Sequence, residues 1–165
     1  MAAEHDTNDT KIQQLTLQPV VSIRSTVLIA NLGEAMGERL QTLSGYLQQS
    51  GARPAGPPFV RYHTFGATET DLETGIPVAE TIAGEGGVAA SELPGGPAIT
   101  TWHFGSHDTL GEAYARIHSL LGEHGHEPNG PAWEVYYWID PNDSGDPPTF
   151  PDPSVWRTQL IQPIK

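Results

Sequence analysis

The sequence predicts an α+β fold built from tandem duplicated βαββ modules, and three observations carry that prediction. The string Gly51-Ala-Arg-Pro-Ala-Gly-Pro-Pro-Phe-Val-Arg-Tyr62 is echoed by Gly125-His-Glu-Pro-Asn-Gly-Pro-Ala-Trp-Glu-Val-Tyr136, 74 residues later (125 − 51). Upstream, Pro19-Val-Val-Ser22 matches Pro97-Ala-Ile-Thr100 and Leu32-Gly-Glu-Ala35 matches Leu110-Gly-Glu-Ala113, at an offset of 78 (110 − 32). The change of offset falls inside a predicted helix, where about one α-helical turn can be added without rotating the apolar face. Finally, each copy holds one helical apolar stripe among strand-like segments. The copies differ at one telling position, Val60 in the first and Glu134 in the second.

Residues 1–11 are polar and predicted to be a disordered tail. Residues 12–165 then form a single domain, with repeat one at 12–83 and repeat two at 87–165. Ile12 to Leu28 alternates or runs apolar around Pro19, which reads as one or two strand segments with the proline at a bend or edge. Asn31 with Glu34 forms a predicted capping box, and Leu32, Met36, Leu40, Leu43 and Leu47 follow at helical spacing until Gly51 and Pro54. Pro58 to Phe65 and Leu72 to Ile82 are predicted strands, and Gly84 to Gly87 is the link between halves.

The second half replays that order. Strands near Val88 to Leu93 and Ala98 to Phe104 meet at the Pro94-Gly-Gly-Pro97 turn. Thr109 with Glu112 is a second capping box, opening a stripe of Leu110, Ala113, Tyr114, Ile117, Leu120 and Leu121 that Gly125 closes. Ala132 to Ile139 and Val155 to Ile164 are the last predicted strands, separated by a proline-rich loop from Pro141 to Pro153. Two such modules place antiparallel sheets side by side, with two helices on one face and a ligand cleft on the other.

Composition narrows the function. With 20 acidic against 8 basic side chains the net charge is −12, which repels phosphate backbones and argues against nucleic acid as a direct partner. There is no cysteine, hence no disulfide or thiolate metal site, which fits a cytoplasmic protein. The sequence shows neither a signal peptide nor an apolar run of membrane-spanning length, so no membrane association is expected.

The chemistry concentrates on the penultimate strand. By strand alternation Trp133, Val135, Tyr137 and Ile139 point one way, and Glu134, Tyr136, Trp138 and Asp140 the other. Both sides are aromatic, and one of them needs a partner other than water, so a concave pocket is expected. In it Glu134 would lie beside Tyr136 and Trp138 with no basic residue in the strand, a setting suited to an organic cation. An open, wetted sheet face is the alternative reading. Tyr62, the repeat partner of Tyr136, lines the opposite wall or sits in the core. Trp102 and Phe104 lie on one side of their strand and His103 on the other, and one of these sets should face the cavity.

His103 and His107, and His124 and His126, lack the spacing of a metal site, so no metal and no cofactor is expected. No nucleophile elbow or phosphate-binding loop appears, and the acidic Glu69 to Glu73 stretch reads as a solvated hairpin.

With duplicated βαββ halves, the Pro94-Gly-Gly-Pro-Ala98 turn, His103-Phe-Gly105 before the second helix and Trp133-Glu-Val-Tyr136, residues 12–164 resemble the GyrI-like effector-binding family. This family includes the drug-binding domain of BmrR-type multidrug regulators, gyrase-inhibitory proteins and hydrolases of cyclopropane-containing genotoxins. The resemblance implies two modules about a pseudo-twofold axis with ligand in the central cleft, and it places on Glu134 the role of contacting cationic, aromatic drugs. Where many relatives have a tyrosine at the start of the second helix, this chain has Ser106-His107. The DNA-binding segment of the regulators is not seen before the first strand.

Three functions follow as expectations. The leading one is capture of hydrophobic, often cationic aromatic small molecules in a multidrug-type site of Glu134, Tyr136, Trp138, Tyr62 and Trp102. The second is hydrolysis of a cyclopropane-containing genotoxin with catalytic Glu134 as base and Tyr136 as hydrogen-bond donor. The third, resting on analogy alone, is inhibition of a protein partner such as DNA gyrase.

Overall fold

The computed structural model describes residues 10–139 and 152–165. Its strands are β1 (Lys11–Leu15), β2 (Gln18–Leu28), β3 (Phe59–Phe65), β4 (Glu69–Pro77), β5 (Ala89–Leu93), β6 (Gly96–Phe104), β7 (Trp133–Tyr136) and β8 (Arg157–Pro163), and its helices are α1 (Leu32–Ser50) and α2 (Leu110–His124). All eight strands join one antiparallel sheet in the order β1-β6-β8-β7-β3-β4-β2-β5. The antiparallel sheets expected side by side are one continuous sheet, which with its two helices makes the α+β fold. The joins are the β3–β7 pair at the centre and two exchanged strands at the edges, with β1 on β6 and β5 on β2. Each five-residue exchanged strand covers backbone groups of β6 or β2 that would otherwise form an open edge.

The predicted tail ends earlier than expected, because Lys11 already pairs with Thr100. Residues 1–9 lie outside the described part, as do Asp140 and residues 141–151 of the proline-rich loop. The helices are 19 and 15 residues long, so α1 has the additional turn that the shift of offset predicts. Both stop at left-handed glycines, Gly51 (φ 74°) and Gly125 (φ 66°). Their starts depart from the predicted capping boxes. A 3-10 turn precedes each helix, so Asn31 and Thr109 already carry turned backbone, and neither side chain caps the helix.

Three predicted strands have different bounds. β4 runs from Glu69 to Pro77, since the acidic stretch is already part of the ladder with β2 and β3; Glu69 is exposed as expected of a solvated hairpin, whereas Glu73 is buried. Buried Glu73 accepts hydrogen bonds from Ser22 (2.7 Å) and Arg61 (3.1 Å), its carboxylate also bonds His63, and Arg24 pairs with Asp71. β7 is only four residues long, because Ile139 N–H donates to the Tyr136 carbonyl and turns the chain at Tyr137 and Trp138. β8 begins at Arg157, after a 3-10 turn at Pro153–Val155. The link at Gly84 to Gly87 is a tight turn closed by reciprocal hydrogen bonds between Glu85 and Val88.

Cross-strand register separates the two faces. Val60, Glu134, Leu160 and Thr101 lie side by side on one, and Arg61, Trp133, Ile161 and Thr100 on the other. The first face packs on the helices: Val21 and Ile76 against Leu43 and Leu47 of α1, Ile99 and Leu160 against Ala113 and Ile117 of α2. On the second face the sheet curls on itself, bringing Leu15 and Leu93 of the edge strands against Phe59, Trp133 and Val135 of the central pair. No helix among the described residues is long and apolar enough to cross a membrane.

Gly75 is where this curl leaves no space. A Cβ there would come within 2.7 Å of the Phe59 ring and of the Val21 carbonyl oxygen. Gly75→Ala is expected to lower the unfolding free energy by about 1–3 kcal/mol, measured by chemical denaturation.

Candidate functional site

α1 rests mainly on β2 and β4, and α2 on β6 and β8, so the central strands β3 and β7 form the floor of a groove between the helices. Val60 and Glu134, which occupy matching places in the two similar sequence strings, are direct neighbours on that floor. The cleft expected on the sheet face opposite the helices is thus corrected for Glu134. Strand alternation sorts side chains into two sets, but which set meets the helices is decided by long-range packing, and the helix-facing set contains Glu134 and Tyr136.

Glu134 is only 3% exposed. Tyr114 of α2 donates to its Oε2 (2.5 Å) and Tyr136 to its Oε1 (2.7 Å), while Tyr62 and Tyr136 share a further hydrogen bond. Among the described residues Glu134 forms no ion pair. Burial therefore pushes its pKa above the ordinary carboxylate value, against the pull of the two tyrosine hydrogen bonds and of a charge on His103. Burial, and then the neighbouring Glu134, pushes Tyr62, Tyr114 and Tyr136 above the ordinary phenol value. These phenols stay protonated near neutrality and can only stabilise the carboxylate as donors.

Tyr62, Tyr114, Ala132 and Glu134 line a cavity of about 320 Å³. A second space of about 250 Å³ lies along the first half of α1, between Gly37 and Leu40 on one side and His107, Trp138 and Trp156 on the other. Trp138 stacks on Trp156 at 3.8 Å, lies 5.4 Å from Tyr136, and donates through Nε1 to Thr158 (3.2 Å). His107 meets the Tyr136, Trp138 and Trp156 rings at 5.1–5.6 Å, and burial holds it below the ordinary imidazole value.

The structure thus brings together Glu134, Tyr136, Tyr62 and Trp138, the last from a turn rather than from the strand. Trp102 is not part of this group. It lies on the helix-free face, 4.9 Å from Tyr137, with the Arg157 guanidinium 5.0 Å from both rings. His103 is the member of that strand facing the helices, and its Nε2 bonds the Ser106 carbonyl (3.0 Å) and Thr109 hydroxyl (3.1 Å) rather than a ligand. Sequence reasoning missed Tyr114, which sits in the apolar stripe of α2. The available signal was a hydroxyl-bearing residue within an otherwise aliphatic face. No group of three or more His, Asp or Glu among the described residues is arranged to hold a metal ion.

The raised pKa of Glu134 has a consequence for stability. The native state keeps this proton to higher pH than the unfolded chain, so the contribution is full below the ordinary value of 4.5 and is lost as pH rises through the native value. Glu134→Gln is expected to raise the thermal midpoint by a few degrees at pH 8, with the gap closing towards pH 4, as read by calorimetry.

The chain matches the family model of the GyrI-like small molecule binding domain over residues 8–164. No curated protein matches it. Among solved structures, EcmrR in a DNA complex superposes with a TM-score of 0.77 at 19% identity, covering 96% of this chain and 58% of that one. The chain thus spans little more than half of EcmrR. SAV2435 bound to tetraphenylphosphonium gives 0.62 at 12% identity over 95% and 94% of the two chains. A hydrolase from Listeria innocua gives 0.62 at 11% identity over 94% and 91%. At such identities these likenesses concern the fold, whereas the family match spans nearly the whole sequence: the chain belongs to the GyrI-like small-molecule-binding domain family.

Proposed function

We propose that the groove between α1 and α2 captures hydrophobic, cationic aromatic molecules, with Glu134 as counter-charge and Tyr62, Tyr136 and Trp138 as aromatic walls. The observation that carries this reading is the charge balance at Glu134. A buried carboxylate held by two phenols, without an ion-pair partner among the described residues, lacks a full positive charge that an organic cation would supply. Each ring face adds about 0.5–2 kcal/mol to a desolvated cation. Tyr114 joins the site by the same geometry. Tetraphenylphosphonium, which the SAV2435 structure holds on the same fold, is a fitting probe.

The strand order supports an internal duplication as the origin of this site. Exchanging β1–β4 for β5–β8 reverses the order β1-β6-β8-β7-β3-β4-β2-β5 into itself, with Val60 and Glu134 at the midpoint. A pseudo-twofold axis there would make Glu134 the departure from symmetry that gives the groove its charge.

The same cluster favours one second reading, hydrolysis. A carboxylate with a raised pKa beside phenol donors suits a general base that activates water, while a phenol bonds a developing oxyanion, as opening a strained cyclopropane needs. Mass spectrometry of a cyclopropane-containing genotoxin incubated with the protein separates the two. Ring-opened product formed by the wild type and not by Glu134→Gln would support catalysis, and intact ligand would support capture.

Glu134→Gln is expected to weaken tetraphenylphosphonium about 10- to 100-fold while changing the affinity of a neutral analogue of similar size much less, by calorimetric titration. In the wild type, cation affinity is expected to rise with pH through a midpoint above 4.5, as Glu134 ionises, and to be flat in the variant. Equal losses for cation and neutral analogue would remove the counter-charge role.

A further inference from the structure

The opposite face of the same central strand borders another cavity. Glu134 and Tyr136 of β7 face the helix groove, whereas Trp133 and Val135 point into a recess of about 440 Å³ on the helix-free face. That volume is within the range of small-molecule sites, about 300–1,000 Å³. Its floor is recessed rather than flat: Trp133, Val135 and Ile161 are 3%, 9% and 7% exposed.

Three features define what would fit. First, no charged side chain among the described residues lines the recess; on this face Glu73 is paired with Arg61 and His63 and Asp71 with Arg24, while the Arg157 guanidinium lies over the Trp102 and Tyr137 rings. A cation would find no carboxylate in this lining and would lose its hydration. Second, Pro57, Pro77 and Pro94 line the mouth with fixed φ, and Ala55 N–H is tied to the Pro77 carbonyl at 2.8 Å, so the opening is held in shape before anything binds. Third, Gln18 spends both amide hydrogens on the chain, donating to the Pro19 carbonyl (2.9 Å) and the Val78 carbonyl (2.8 Å). What it has left is its amide oxygen, an acceptor, and Gln159 and Thr16 in the same lining each bring a further acceptor oxygen alongside their donors.

We propose that this recess is a second binding site, for a neutral hydrophobic small molecule carrying a hydroxyl or N–H donor, served by a face of β7 that Glu134 does not share. The two sites thus divide ligands by charge, with cations on the helix side and neutral donors on the other.

The test uses 2-naphthol, a neutral fluorescent phenol, and two variants that fill the mouth from lining positions, Ala55→Trp and Thr16→Trp. Circular dichroism establishes that both fold. The wild type is expected to bind 2-naphthol equally well with and without saturating tetraphenylphosphonium, and each variant at least tenfold more weakly. Absence of binding to the wild type, one-for-one displacement by tetraphenylphosphonium, or unchanged affinity in both folded variants would each overturn the proposal. Because naphthol binding needs no cation in the groove, its outcome is independent of the counter-charge reading of Glu134.

Discussion

A carboxylate placed between two phenols at the centre of an eight-stranded sheet sets the terms for the rest of this molecule. Removing Glu134 from water costs several kcal/mol unless polar groups replace its hydration. The chain supplies Tyr136 from the same strand and Tyr114 from α2, both within hydrogen-bonding distance. The second of these contacts depends on tertiary structure, since it requires α2 to lie across β6 and β8 with Tyr114 turned towards β7. Position of the helix and state of the carboxyl group are therefore linked.

The sheet topology makes that placement possible. Because β3 and β7 pair at the centre and each helix covers the strands to its own side, a groove remains over the central pair. Its floor has one acidic and one aliphatic member side by side, Glu134 and Val60. The stack of Trp138 on Trp156, braced by His107, forms an aromatic wall on the α1 side. Such rings offer polarisable faces without hydrogen-bond demands, which suits a site that holds molecules by shape and charge rather than by a fixed donor pattern.

Much of this was legible where local chemistry decides structure. Gly51 and Gly125 end their helices because a left-handed residue is needed there, and the four-residue change of repeat offset reappears as one turn of helix. Glu134 stood out because it lies in an aromatic strand that carries no basic residue. What the sequence left open was long-range. Parity along β7 separates Glu134 from Trp133 but does not say which of them meets a helix. The exchange of β1 and β5 between halves depends on which edge each strand can reach, which no local pattern encodes. Trp102 was grouped with Glu134 by residue type alone, whereas its strand turns it towards Tyr137 and Arg157. Tyr114 was hidden because a phenol at helical spacing reads as one more apolar contact.

The most direct test of the account is a carbon-detected NMR titration of the Glu134 side-chain carboxyl, without and with tetraphenylphosphonium. A midpoint above the ordinary 4.5 is expected in the free protein and a lower one when the cation is bound, because a positive charge in the groove favours ionisation. A midpoint at or below 4.5 in the free protein, or one that bound cation leaves unmoved, would contradict it.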